Sequence, residues 1–466
     1  MRWSDAEYLL TNIAGEYCFL QAEVFSSFVQ RTLLDGSSVY KELKSKHFLL
    51  DSGSTLPIEL LATKFRTKKA FMEGFTRLHL FILTLRCDHN CHYCSALSVP
   101  ANQSGYDMNQ ETAKRAVDLM LCCPSNSLKV EFQGGEPLLN IDTMRFICEY
   151  SKDKAAGEKQ LEYVVCTNLA SLTKEKLDYI KQHSILVSTS FDGPRFIHDG
   201  NRCFCGGSSY DISVKNIKTV MNELGKNRIS ALMTASALSI KHPQEIVDEY
   251  VKIGFESIFL RSIRPYGRSR TLESQYSASE YLEFYRKALE HIIELNRQGI
   301  HIVEGFAQIL LEKILTPFAA GFVDLQSPTG SGMSFVAYNY DGNVYASDEA
   351  RMLAKMGDET FRMGSVYTNS YSDIFGGSTI RALVNNSCVE VIPGCSECAF
   401  QVYCGADPIH NYTTQGDIIG HRPTSDFCQQ NKEIIRLLFE YLNSGDDFIR
   451  DLFLSWVSPR YSMGEA

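Results

Sequence analysis

The chain has 466 residues, 44% of them hydrophobic, with a net charge of −9 and fifteen cysteines. That length buries more than one core, so roughly two or three domains are expected. The acidic balance argues against nucleic acid as the main partner, because phosphate binding wants a concentrated basic face, and no segment approaches the uncharged apolar length of a membrane span.

The start, MRWSDAEYLL, lacks a basic stretch followed by an apolar one, so no signal peptide is visible. The cysteine count is odd and the suggestive spacings fall in two clusters, which points to reduced thiols in the cytoplasm and, for clustered reduced thiols, to metal. Within residues 1–75, LLTNIAGEYCFLQ has apolar runs on either side of Ala14-Gly15 and predicts a hairpin, followed by helical segments with basic residues. From about Leu78 to Arg261, short apolar runs alternate with helix-period segments. The strand candidates are LHLFILTL, LKVEFQ, EYVVCTN, ILVSTSF, ISALMTA and SIFLRS. Between the first two, NQETAKRAVDLML puts Ala113, Ala116, Val117, Met120 and Leu121 on one helix face, with Asn109 as N-cap. Six β–α units predict a parallel sheet with right-handed crossovers, too few for a closed eight-stranded barrel and best built as a partial barrel open on one side. More helix follows from Ser277 to Phe318. Residues 321–428 are loop-rich with little periodicity and are expected to need something besides a hydrophobic core. NKEIIRLLFEYL returns to an amphipathic helix.

The chemistry starts at RCDHNCHYCSAL. Cys87, Cys91 and Cys94 are spaced C-x3-C-x2-C directly after the first strand, with no fourth ligand at suitable spacing. A structural zinc would use four ligands; three leave one metal position open. Polar residues recur at the following strand ends: Gly134, Gly135 and Glu136 in EFQGGEPLLN, then Thr167 and Asn168, then Ser190 and Asp192, with Arg202 shortly after. Loops at that end of an α/β barrel carry chemistry. The cysteine triad, with Tyr93 before its last member, together with GGEP, resembles the radical SAM enzymes. The resemblance implies a [4Fe-4S] cluster held by the three cysteines. Its open iron would bind S-adenosylmethionine (SAM) and reduce it to a 5′-deoxyadenosyl radical. It further implies SAM contacts from Tyr93, Gly134, Gly135, Glu136 (to the amino group), Thr167, Asn168, Ser190, Asp192 and Arg202 (to the carboxylate).

A second set, Cys395, Cys398 and Cys404 spaced C-x2-C-x5-C, is followed by Cys428. It resembles the SPASM extension of peptide-modifying radical SAM enzymes, with departures. Ser347, Pro408 and the region of Thr329 stand where that family places further cysteines. The resemblance therefore implies one closed auxiliary [4Fe-4S] cluster on Cys395, Cys398, Cys404 and Cys428, with a four-cysteine zinc ribbon as the alternative. Cys388 is a spare candidate. Most of Cys18, Cys122, Cys123, Cys148, Cys166, Cys203 and Cys205 are expected to be buried small residues. Asp348 occupies the position of a catalytic base in sulfatase-maturing relatives, while a solvated polar turn or a salt-bridged strut would explain SDEAR equally.

Most of the chain resembles the radical SAM maturase of the His-Xaa-Ser peptide-modification system. The resemblance implies a ribosomally made precursor peptide as substrate, an oxidative side-chain cross-link as product, a flavodoxin or ferredoxin as electron donor, and a second maturase as a further partner. The organisation expected is a leader-peptide-binding segment over 1–75, a radical SAM partial (β/α)6 barrel over 76–300, an auxiliary-cluster domain over 301–445 and a tail over 446–466. Two other readings are a radical SAM oxidation of Ser or Cys in a protein, and a non-catalytic iron–sulfur electron carrier. The carrier has no use for an open iron or for Gly134-Gly135-Glu136.

Overall fold

The computed structural model describes residues 1–50, 53–270 and 275–457. All six expected barrel strands form: Leu78–Thr84, Ser127–Gly134, Gln160–Thr167, Leu186–Ser190, Ile229–Thr234 and Ser257–Arg261. They pair in parallel, each with the next in sequence. Phe81, Ile82 and Leu83 are successive and all buried, as a strand covered on both faces requires. The crossover helices start where capping residues stop the preceding loop. Asn109 accepts from Thr112 N at 2.8 Å, and Ser277 closes a capping box with Glu280 ahead of the helix Ala278–Arg297.

The sheet is larger than the six units imply, and it stays open. A two-residue strand, Val303–Glu304, extends it past the sixth strand. On the other side Phe335–Tyr338 pairs in parallel with the first barrel strand, followed by antiparallel Asn343–Tyr345 and Arg362–Ser365, giving ten strands in a sheet that does not close. Part of the region read as loop is thus built into the main sheet. Four residues carry too little periodicity to announce a strand; the partner edge at Leu78–Phe81 supplies what the local pattern lacks.

The N-terminal hairpin forms as expected, with strands Glu7–Thr11 and Tyr17–Gln21 and a turn in which Gly15 takes φ +83°. Helices Ala22–Val29, Ser38–Ser45 and Leu56–Lys68 follow. The hairpin leans on the auxiliary-cluster region: Tyr403 Oη donates to Gly15 O at 3.0 Å, and Thr11 Oγ1 donates to Ala399 O at 2.7 Å. The stretch read as a tail contains a helix, Asp447–Val457, whose Phe453 and Trp456 are buried; the remainder of the tail, 458–466, lies outside the described residues. Among the described residues no helix is long and apolar enough to cross a membrane.

Candidate active site

The first barrel strand hands directly into the cysteine loop, and the loop is pinned on several sides. Arg86 Nε donates to Asp107 at 2.8 Å, while its Nη1 and Nη2 donate to the carbonyls of Ala101 and Leu139. Residues His89–Cys91 pair antiparallel with Arg202–Phe204, which sets Arg202 opposite Cys91. Gly134 and Gly135 lie against this root. A Cβ on Gly134 would sit 2.1 Å from Thr84 O, and one on Gly135 would sit 2.3 Å from Arg86 O. The close approach these glycines permit is to the backbone that launches Cys87.

Cys87, Cys91, Tyr93, Cys94, Gly134, Gly135, Thr167, Asn168, Ser190, Arg202 and Asp348 line one cavity of about 710 Å³ at the C-terminal ends of the strands. Of the residues singled out from the sequence for this site, Glu136 and Asp192 do not line it. Glu136 is fully buried and its carboxylate is already engaged: Thr167 Oγ1 donates to it at 2.7 Å, Asn168 N at 2.8 Å and Leu138 N at 3.0 Å. These bonds tie the second strand end to the third. Burial and the nearby Asp88 push Glu136 up to about 7. Asp192 holds the site one step removed. It accepts from Tyr93 Oη at 2.6 Å and from Asn201 Nδ2 at 3.1 Å, and Arg202 Nη1 donates to the same Tyr93 oxygen at 2.7 Å.

Four buried polar atoms in or beside the cavity have no partner among the described residues: Thr189 Oγ1, Asp192 Oδ1, Arg202 Nε and Arg264 Nε. Buried polar groups are normally satisfied, so these atoms, beside a polar cavity, suit a charged ligand carrying both donors and acceptors. SAM, with an ammonium, a carboxylate and a ribose, has that character, and the donor set fits it. Burial lifts the Cys87 thiol strongly and pushes Cys91 up to about 11 against the pull of Arg202, so metal binding there must displace protons. Among the described residues no group of three or more His, Cys, Asp or Glu side chains is gathered as for a single metal ion. Thiolates serving a cube of irons each take a different iron and stand further apart than ligands sharing one zinc.

Asp348 opens the helix Asp348–Lys355, capped by Ser347, whose Oγ accepts from Ala350 N at 3.1 Å. The serine standing at a family cysteine position thus has a structural task of its own. Arg351, buried, donates to Asp348 at 2.7 Å, and Arg261 faces Glu349 at 3.5 Å, so SDEAR is a charged wall of the cavity rather than a solvated turn.

Cys395, Cys398, Cys404 and Cys428 come together in the second region, each of Cys395, Cys404 and Cys428 feeling the charge of others in the set. Cys428 sits in the first turn of the helix Asp426–Leu442, with its backbone N–H on Ser425 Oγ at 3.3 Å. Cys388 stands apart: its thiol donates to Val384 O, and its charged neighbours are Glu390 and Lys69. The expectation that most of the remaining cysteines are buried needs correcting. Cys18, Cys123 and Cys148 are buried and Cys166 partly so, but Cys122, Cys203 and Cys205 are exposed.

Several residues of the site were not singled out from the sequence. Glu131 and Cys166 face each other at 3.0 Å on the cavity wall. After the sixth strand, partly buried Arg264 pairs with Asp324 at 2.6 Å and with Asp407 at 3.4 Å. Burial pushes Asp407 up to about 7 against the pull of Arg264. The strand-end rule that found Asn168 applies equally to SIFLRSIRP and points to Arg261 and Arg264.

Residues 81–248 match the Radical SAM superfamily. The chain is 36% identical over 116 residues to an uncharacterised protein of Methanocaldococcus jannaschii and 26% identical over 137 residues to the radical SAM cyclopropyl synthase TigE of Paramaledivibacter caminithermalis. It spans only 38% and 29% of those two proteins' lengths. A cysteine-type anaerobic sulfatase-maturating enzyme of Clostridium perfringens is 22% identical over 377 residues, covering 76% of this chain and 94% of that one. Among solved structures, anSMEcpe with bound AdoMet has a TM-score of 0.65 at 18% identity, covering 81% of this chain and 99% of that one. Streptococcus suis SuiB bound to S-adenosylmethionine has 0.56 at 12% identity, covering 91% and 99%. The chain therefore carries a radical SAM domain over residues 81–248, set in the α/β fold it shares with the sulfatase-maturating enzyme and with SuiB.

Proposed function

We propose that this chain is a radical SAM maturase that installs an oxidative side-chain cross-link in a ribosomally made precursor peptide, as in the His-Xaa-Ser system. One observation carries the reading: three cysteines on one loop, Arg202 and Asp348 all border a single large cavity. In this reading Cys87, Cys91 and Cys94 hold the open cluster and Cys395, Cys398, Cys404 and Cys428 hold the closed one. When bound, the open cluster supplies the electron that cleaves SAM to a radical able to take hydrogen from an unactivated carbon.

The chain's own residues do the rest. Arg202 meets the SAM carboxylate from its place opposite Cys91, with Tyr93 and Asp192 fixing its guanidinium. With Glu136 engaged elsewhere, the SAM ammonium is left to the backbone at Gly134 and Gly135. Asp348 takes the substrate proton, and Arg351 fixes its carboxylate in place. A cross-link formed with loss of two electrons needs a second acceptor, the role of the auxiliary cluster. The relatives support a peptide or protein substrate: one is a sulfatase-maturating enzyme, and SuiB has been solved with its precursor peptide SuiA.

The N-terminal hairpin suits capture of a leader peptide. Its strand Glu7–Thr11 is flanked by Met1–Trp3, with Leu9 N donating to Met1 O, while Tyr17–Gln21 has no second strand partner among the described residues. An extended peptide can add to such an edge. A flavodoxin or ferredoxin as electron donor, a second maturase and a cytoplasmic setting belong to the same proposal. A second reading, oxidation of a Ser or Cys in a protein substrate, is favoured by the similarity that runs along 94% of the clostridial sulfatase-maturating enzyme.

The test is iron and sulfide content of anaerobically reconstituted protein beside the Cys87→Ala/Cys91→Ala/Cys94→Ala variant, with 5′-deoxyadenosine assayed after SAM and dithionite. About eight irons falling to about four, with deoxyadenosine only from the unmodified protein, supports the reading. Zinc in place of iron, or no deoxyadenosine from either protein, overturns it.

A further inference from the structure

A second cavity, of about 280 Å³, opens beside the first, and the two share Phe259, Arg261, Ser262, Arg264, Phe322 and Asp324 among their walls. Its character differs from that of the cysteine cavity. Phe259, Phe306 and Phe322 form a triangle with ring centroids about 6 Å apart (6.0, 6.0 and 5.9 Å), each ring only partly buried. Phe427 lies across from them on the Asp426–Leu442 helix. Open aromatic faces of this kind favour a flat apolar group that can pack edge to face.

The far wall carries His410. It is 6% exposed, it lines this cavity, and both of its ring nitrogens lack a partner among the described residues. Burial and the adjacent Arg264 guanidinium hold it near 3, so at working pH the imidazole is neutral, offering one N–H donor and one acceptor. Several polar groups around it are committed. Tyr281 Oη donates to Leu260 O, Tyr276 Oη donates to Ala235 O, and the Nη atoms of Arg264 are held by Asp324 and Asp407, leaving its Nε without a partner among the described residues. His410, beside the unpartnered Arg264 Nε, forms an unsatisfied polar end of an aromatic box.

We propose that this annex is the specificity pocket for the substrate peptide, taking an aromatic side chain that ends in a hydrogen-bonding group, with His410 meeting that group and Phe259, Phe306 and Phe322 enclosing the ring. The assignment rests on the peptide-modifying reading above. The shared wall at Phe322, Asp324 and Arg264 sets a side chain in the annex next to the cysteine cavity, so one stretch of peptide reaches both. A site built to satisfy a hydroxyl discriminates against the analogue that lacks it, because the buried partner is then left unpaired.

The experiment titrates full-length, anaerobically reconstituted protein with N-acetyl-tyrosinamide, N-acetyl-phenylalaninamide and N-acetyl-leucinamide, reading binding by ligand-observed NMR. Tyrosinamide is expected to bind about tenfold more tightly than phenylalaninamide, and leucinamide more weakly than either. His410→Leu should bring the first two within about twofold of each other, His410→Asn should retain part of the preference, and Phe322→Ala should weaken both aromatic probes. Retained secondary structure by circular dichroism shows that each variant is folded; should His410→Leu not fold, the wild-type ranking and Phe322→Ala decide. Equal binding of all three probes, or a preference that His410→Leu leaves intact, overturns the pocket. Deoxyadenosine formation is measured on the same samples without any amide. Loss there would fell the enzyme reading, whereas normal deoxyadenosine with no tyrosinamide preference fells the pocket alone.

Discussion

The Tyr93 hydroxyl donates to the Asp192 carboxylate at 2.6 Å, although the two residues lie on different strand-end loops. The same oxygen accepts from Arg202 Nη1, so a single phenol sits between a buried anion and a buried cation beside the cysteine loop. Replacing Tyr93 with Phe leaves both charges short of a partner. The expected result is a loss of about 2 kcal/mol in unfolding free energy and a several-fold weaker affinity for SAM, with iron content unchanged. Urea denaturation, SAM binding by equilibrium dialysis and iron analysis check this; an equal fall in iron would move Tyr93's role from ligand positioning to holding the loop.

Gly135→Ala places a methyl group 2.3 Å from Arg86 O and 2.6 Å from Leu85 O, and neither backbone carbonyl can swing away. The strand end that launches Cys87 must move. We expect a loss of about 3 kcal/mol and selective loss of the open cluster's iron, with the auxiliary iron retained. Gly321→Ala, with nothing within 4 Å of the new atom, should stay within about 0.5 kcal/mol of the parent. Thermal melts and iron analysis of the two variants separate a local clash from general fragility.

Asp348→Asn removes the charge that pairs with buried Arg351. Breaking a largely buried pair costs about 3 kcal/mol, most of it from the cation left behind. If Asp348 is the base for the substrate proton, deoxyadenosine formed without peptide should stay within about threefold of the parent, because no substrate proton moves in that reaction. A large fall in uncoupled deoxyadenosine would instead place Asp348 in SAM binding.

His79 is fully buried on the first barrel strand, with Nδ1 on Tyr338 Oη at 3.1 Å, and burial lowers it to about 3. The unfolded chain binds a proton near pH 6.5 and the folded chain does not, so the unfolded state holds more protons between those values and stability falls as pH falls. The contribution is fully present above about pH 6.5, and ~2 kcal/mol of it is lost by pH 5. His79→Gln should be less stable than the parent at pH 7.5 yet lose about 2 kcal/mol less on acidification to pH 5. Equal losses for the two proteins in urea titrations at both pH values would show that folding does not lower His79.

Local pattern announced what local chemistry enforces. The six strands were readable because a sheet covered on both faces needs unbroken apolar runs such as Phe81-Ile82-Leu83. Asn109 was readable as a cap because its side chain satisfies an N–H three residues away. The cysteine spacings and the polar residues at strand ends were readable because the barrel gathers strand ends by its topology.

What the sequence could not show is long-range. The pairing of Phe335–Tyr338 with the first strand joins residues far apart in the chain, and only the assembled edge makes a strand of so short a run. Glu136 stands in a motif beside the cavity, and only the fold turns its carboxylate to Thr167 and Asn168, where backbone and hydroxyl donors compensate its burial. His410 lies between Cys404 and Cys428 and gave no sign of its place until helix packing set it in an aromatic box beside Arg264. By itself the sequence determined the barrel strands and the residue types offered for chemistry, since both follow from short-range periodicity and spacing. Which of those residues face the cavity, and which are spent holding it, was decided only by tertiary packing, because burial and hydrogen-bond partners are properties of the assembled fold.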